Sequence, residues 1–232
     1  MSDQKRSDFV FPAWANYLLP LLIVAVLGGA LYAPIIVGYG FSPKATNVGY
    51  QPKQPIAYSH AMHAGQLGID CRFCHSTVER NTYAAVPNTQ VCISCHNPDA
   101  GNGVRKNSEK LQPLFDSYHS GLPIQWIKVH DLPDYVYFNH SAHVNKGVGC
   151  VSCHGRIDKM ETVYQDQPLS MSWCLDCHRA PEKHLRPADQ ITNMSWTAAD
   201  EGKDQLTLGA ELKDYYHIHD ATYMTSCSTC HR

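Results

Sequence analysis

The chain has 232 residues, of which 44% are hydrophobic and only 17% charged, with a formal net charge of -2. A charged fraction this far below the usual quarter, with no basic run, phosphate loop or dinucleotide fingerprint, excludes an electrostatic grip on nucleic acid and nucleotide chemistry. Fourteen prolines and fifteen glycines punctuate the chain and point to short helices, long irregular connections and little sheet.

Residues 1–12 form a short terminus expected on the cytoplasmic side. The run AWANYLLPLLIVAVLGGALYAPIIVGYG, Ala13 to Gly40, is long enough for one membrane-spanning helix of about 20 apolar residues. Trp14 and Tyr17 at one end, with Tyr32 and Tyr39 at the other, suit the two interfacial belts. Pro20 lies near the start and Pro34 near the end, where a kink or a stop is tolerable. Lys5 and Arg6 before the run also fit a cleaved secretory signal, but the run is longer than a signal's hydrophobic region and favours an uncleaved anchor. Lys44 and Lys53 match Lys5 and Arg6 in number, so charge does not orient the helix. The small residues of GGALYA, Gly28 to Ala33, allow close packing against other membrane helices. Residues 41–57 read as a linker.

The segment YSHAMHAGQLGIDCRFCH, Tyr58 to His75, opens the first of two similar units, residues 58–130. It ends in Cys71-x-x-Cys74-His75, a c-type haem attachment signature. Two thiols add to the porphyrin vinyl groups, and the following histidine points at the iron as proximal ligand. The signature recurs at Cys92/Cys95/His96, Cys150/Cys153/His154, Cys174/Cys177/His178 and Cys227/Cys230/His231, which uses all ten cysteines. Zinc ribbons pair such units by twos and cannot use five. Disulfide motifs do not demand a histidine after each second cysteine. Five covalently attached haem c groups are therefore expected on about 190 residues. That is under roughly 40 residues per haem, too few for an ordinary core, so the chain should wrap the porphyrins. Haem c is attached outside the cytoplasm, which orients the anchor: amino end inside, haem domain outside.

The second unit, residues 131–185, begins FNHSAHVNKGVGCVSCH, Phe138 to His154. In both units an aromatic precedes two histidines three apart, His60 and His63 or His140 and His143. Each iron has one axial vacancy after its motif histidine, and histidines three apart on a helix share a face but diverge. Each pair therefore reads as a clamp between two haems. His60 and His140 are expected to serve the haem next downstream, and His63 and His143 a second haem in or beyond their own unit. The repeat gives two dihaem units plus a C-terminal segment, residues 186–232, carrying the fifth haem.

A fifth distal ligand is still needed. His130, in WIKVHDLPDYVYFNH, is held near the second clamp by a turn-forming LPD; Met160 is the alternative. His119, His184, His217, His219, Met171, Met194 and Met224 stay open. A thioether ligand would raise the potential relative to bis-histidine.

The aromatic-x-His-x-x-His segment followed by Cys-x-x-Cys-His resembles the class III multihaem cytochromes c. The longer pattern, WIKVHDLPDYVYFNHSAHVNKGVGCVSCHGRIDKM followed by LSMSWCLDCHRAPEKHLRP, resembles the pentahaem subunit of bacterial alternative complex III. That resemblance implies a respiratory quinol:electron-acceptor oxidoreductase in the bacterial cytoplasmic membrane, with the haem domain on the periplasmic side. It also implies polytopic quinol-binding membrane subunits, an iron-sulfur subunit, a monohaem cytochrome c subunit, and a soluble redox acceptor or oxidase.

From the residues alone the expectation is a mainly α protein with much irregular coil. An amino-terminal anchor helix leads into a multihaem domain that conducts electrons and has no catalytic site of its own. Ten propionates would make the holoprotein more acidic and favour a basic electron carrier as partner. Two alternatives stand beside it. One is a free-standing, membrane-anchored quinol dehydrogenase feeding periplasmic reductases. The other is a multihaem reductase with one five-coordinate iron.

Overall fold

The computed structural model describes residues 11–231. The expected cytoplasmic terminus, Lys5 and Arg6 included, lies outside the described residues except for Phe11 and Pro12. The chain divides into two units, one ending at Ala45 and the other beginning at Thr46.

In the first unit a 3-10 turn, Ala13–Tyr17, leads into helix α1, Leu18–Gly40. No residue of α1 is buried, and its apolar side chains cover every side. A helix greasy all round suits a lipid surround. Its 23 residues reach about 35 Å at 1.5 Å per residue, against a hydrocarbon core of about 30 Å. Pro20 sits in the first turn, where its missing N–H costs nothing. The helix runs on through Pro34, so the stop considered there does not occur. One backbone bond is given up, and the turns on either side carry the helix across.

The second unit is built from short helices: α2 Cys71–Cys74, α3 Thr89–His96, α4 Gln112–Ser120, α5 His140–Val144, α6 Val151–His154, α7 Met171–Arg179, α8 Gln205–Tyr215, α9 Ala221–Met224 and α10 Cys227–Cys230. A π-helical turn covers Ala61–Gln66. Among the described residues, β pairing is a single antiparallel bridge, Val148 to Leu185. Side-chain caps decide where several motif helices begin. Asp70 accepts from the Arg72 N–H at α2, Asn88 from Val91 at α3, and Ser170 from Trp173 at α7. Each satisfies a donor that the first turn leaves open.

Apolar packing is divided. Where α3 lies on α4, Ile56, Ile93, Leu114 and Phe115 form one cluster, with Cys92 and Trp126 against it. A second cluster joins Trp196, Ala198 and Leu208 where α8 meets the 3-10 turn Ala198–Glu201. Neither cluster contains the cysteines of the first, third or fourth motif.

The π-helical turn that carries His63, with His60 just before it, packs on the 3-10 turn Ile157–Lys159. Contact is so close that a Cβ on Gly65 would lie 2.2 Å from the Asp158 carbonyl oxygen. Gly65→Ala must push the two turns apart and is expected to cost about 1–3 kcal/mol. In denaturant titration the midpoint should fall with an unchanged slope.

Candidate haem sites

The two histidine pairs adopt the same local geometry. Tyr58 stacks on His63 at 4.4 Å between ring centroids and 20°, and meets His60 edge-on at 4.8 Å and 84°. Phe138 stacks on His143 at 4.6 Å and 28°, and meets His140 edge-on at 4.7 Å and 85°. In each pair the second histidine donates from Nδ1 to the carbonyl four residues back, His63 to Ser59 and His143 to Asn139, both at 2.8 Å. One aromatic ring therefore orients two imidazoles at right angles, and a backbone carbonyl selects the tautomer of the second.

The same tautomer is selected elsewhere. His75 donates from Nδ1 to the Ala85 carbonyl, His96 to Val104, His178 to Met224, His231 to Tyr135 and His140 to Thr82, at 2.8 to 3.0 Å. A carbonyl can only accept, so in all seven rings Nδ1 holds the proton and Nε2 keeps its lone pair. This is the usual arrangement of a metal-ligating imidazole. Burial pushes His60 down to about 4, helped by His75 and His63, and pushes His154 down to about 3, helped by His130 and His140. Burial also lowers His140 and His143. These rings stay neutral, the form that binds iron.

Three imidazole pairs then face each other across a fixed gap. His63 lies 6.2 Å from His96, His143 lies 6.1 Å from His178, and His140 lies 6.5 Å from His154, centroid to centroid. With metal–nitrogen bonds of about 2 Å on either side, one iron between two imidazoles requires roughly this separation. His60 completes the pattern as a neighbour of His75. The residues present fit haem c: paired thiols, a histidine after each pair, and second imidazoles at axial spacing.

The remaining candidates scatter. His130 makes edge contact with His154 at 4.4 Å, and its Nε2 is buried without a partner. The structure therefore brings His130 to the third motif, while His231 of the fifth has Tyr135 as its ring neighbour, 5.8 Å away. Met160 is buried beneath the first clamp, where its carbonyl accepts from Ala61. His119 is exposed, 3.6 Å from the Asp99 carboxylate. His184 and His217 are exposed, and His219 lies against Tyr223.

All ten cysteines are free of disulfides. Their neighbours order the motifs in space. The Cys74 thiol helps burial raise Cys92, so motifs one and two adjoin. The Cys71 and Cys150 thiols influence each other electrostatically, which puts motif one beside motif three. Cys177 and Cys174 reinforce the effect of burial on Cys153, and Cys230 does so on Cys174. Backbone contacts agree. His140 and Ser141 donate to Thr82 and Asn81, just after motif one, and the His178 ring donates to the carbonyl of Met224 just before motif five. The spatial order is two, one, three, four, five.

Sequence reasoning did not find the carbonyls that hold Nδ1, because backbone acceptors have no side-chain signature. It also missed Arg186, a buried arginine beside motif three.

No family model matches the chain. The multihaem cytochrome c subunit of the menaquinone reductase from Nitratidesulfovibrio vulgaris is 30% identical over 194 residues, which covers 72% of this chain and 87% of that protein.

Proposed function

Because the chain belongs to the multihaem cytochrome c family, we propose that it is the membrane-anchored, pentahaem electron-transfer subunit of a respiratory quinol:acceptor oxidoreductase of the alternative complex III type. The observation that carries this reading is the set of imidazole pairs at 6.1 to 6.5 Å. An iron closed on both faces by the polypeptide offers no position to a substrate and is suited to electron transfer alone.

On this reading each Cys-x-x-Cys-His holds one haem c, with His75, His96, His154, His178 and His231 proximal. Bound haem supplies one-electron chemistry; the chain binds, orients and encloses it. His63 closes the second site, His140 the third and His143 the fourth, and His60 serves the first. His130 lies against His154 and Met160 under the first clamp, so neither stands beside His231, and the four pairs close the first four irons alone. The helix α1 anchors the haem domain on the outer face of the cytoplasmic membrane. It docks there against polytopic quinol-binding subunits beside an iron-sulfur subunit and a monohaem cytochrome c. The motif order makes the second and fifth sites the two ends of the path, and one of them faces the soluble acceptor or oxidase.

A second reading reverses the current. The relative is a subunit of a menaquinone reductase, so electrons there end on quinone. The two directions separate in membranes containing the intact complex. Under the first reading added quinol reduces the haems and an external cytochrome reoxidises them. Haems that quinol leaves oxidised, but that are oxidised by quinone once reduced from outside, would support the second.

A further inference from the structure

The three facing imidazole pairs differ in one respect. The rings of His140 and His154 lie 10° from parallel and those of His143 and His178 27°, whereas His63 and His96 are crossed at 65°. Each ring plane contains its own iron–nitrogen bond, so these are the angles between axial ligand planes. The two clamps set their second histidines alike, at 20° from Tyr58 and 28° from Phe138. The crossing at the second site therefore comes from His96.

A closed loop holds that ring. His96 Nδ1 donates to the Val104 carbonyl at 2.8 Å, and the Val104 N–H donates to the Cys95 carbonyl at 2.8 Å, so one residue grips the motif twice. The Asn97 side chain turns the chain by accepting from the N–H groups of Asp99 at 2.9 Å and Ala100 at 3.2 Å. Lys106 Nζ donates to the carbonyls of Ala100 at 3.4 Å and Gly101 at 3.0 Å. Gly103 lets the loop close, since a Cβ there would lie 1.9 Å from the Asn97 carbonyl oxygen. Arg105 follows at φ 52°, a region that side chains disfavour.

We propose that the loop of residues 97–105 is a positioning strap that turns His96 across His63 and gives the second haem a higher potential than the third and fourth. The inference rests on the pentahaem reading and deepens it. Parallel imidazoles raise the same iron d orbital, and the hole of the ferric state settles in it. Crossed imidazoles raise two orbitals, each by less, which leaves the ferric state less favoured and the reduced state more so. Orientation thus tunes the site while the ligand type stays the same. The second site is one end of the path, so the strap biases electrons from the third and fourth sites towards that end.

The test is electron paramagnetic resonance with redox titration of the full-length holoprotein, haem counted per chain, as wild type, Cys92→Ser with Cys95→Ser, and Gly103→Ala. Crossed ligand planes give a highly anisotropic low-spin signal with a large principal g value; near-parallel planes give an ordinary rhombic one. Removing motif two should take away one haem's share of the large-g signal and leave the rhombic signals whole. At full haem content Gly103→Ala, which pushes the strap off Asn97, should move that signal towards the rhombic type and lower one midpoint potential. Loss of a rhombic signal with the large-g signal intact on removing motif two would overturn the proposal. So would an unchanged spectrum or unchanged potentials in fully loaded Gly103→Ala. If Gly103→Ala does not load the second haem, the comparison with the motif-two variant decides alone. Absence of haem from Cys92 and Cys95 in the wild type would instead refute the pentahaem reading.

Discussion

Replacing His143 with alanine is expected to turn one haem high-spin and remove one haem's share of the low-spin signal, since a bis-histidine iron loses one of its two axial ligands. His143 faces His178 at 6.1 Å, is stacked on Phe138, and has its Nδ1 proton held by Asn139. No neighbour can replace an imidazole fixed in that way. The altered site should bind carbon monoxide, which the same site in the wild type should not. Loss of a packed ring should also destabilise the domain by about 2–4 kcal/mol. His119→Ala is the control, because that exposed ring pairs with Asp99, and its spectrum should match the wild type. The check is low-temperature electron paramagnetic resonance with carbon monoxide difference spectra.

The second large effect concerns the order of the motifs. Removing the third site by Cys150→Ser with Cys153→Ser should break the path between the two dihaem units, because Cys71 of the first unit adjoins Cys150. Removing the second site by Cys92→Ser with Cys95→Ser takes away an end and leaves four sites contiguous. After rapid reduction from one side, equilibration among the remaining haems should slow by at least about 100-fold in the first variant, equivalent to nearly 3 kcal/mol of barrier. It should change little in the second. Each variant should retain four haems, so the comparison is internal. Equal effects would mean that the motifs follow one another in chain order.

Much of this was readable from residue types. The apolar run from Ala13 to Gly40 appears as a helix with lipid-like exposure, because length and composition alone decide such a span. The short helices with almost no sheet follow from the density of proline, glycine and cap residues. The repeated aromatic and paired histidines predicted a repeated local shape, and Tyr58 and Phe138 reproduce each other's contacts to within a few tenths of an ångström. Local sequence sets those contacts, since each ring reaches residues only two and five positions away.

What spacing did not reveal is non-local. Ala85, Val104, Met224 and Tyr135 hold the motif histidines through backbone carbonyls, and any residue type could have done so. The adjacency of motif one to motif three depends on how residues 81–82 return to meet His140 and Ser141. Helix continuity through Pro34 is a matter of what the flanking turns tolerate. His130 was expected near the second clamp through its turn, and it lies against His154; nothing local could say which motif it would meet. Arg186 looked like one basic residue in HLRP, and only folding shows that it is buried beside Cys150.

The central claim is that two histidines of the polypeptide close both axial faces of the irons on motifs one to four. Electron paramagnetic resonance of the oxidised, full-length protein, integrated against a chemical haem count, addresses it directly. At least four low-spin ferric haems per chain is the predicted result. Fewer than four low-spin haems at full haem content would contradict it.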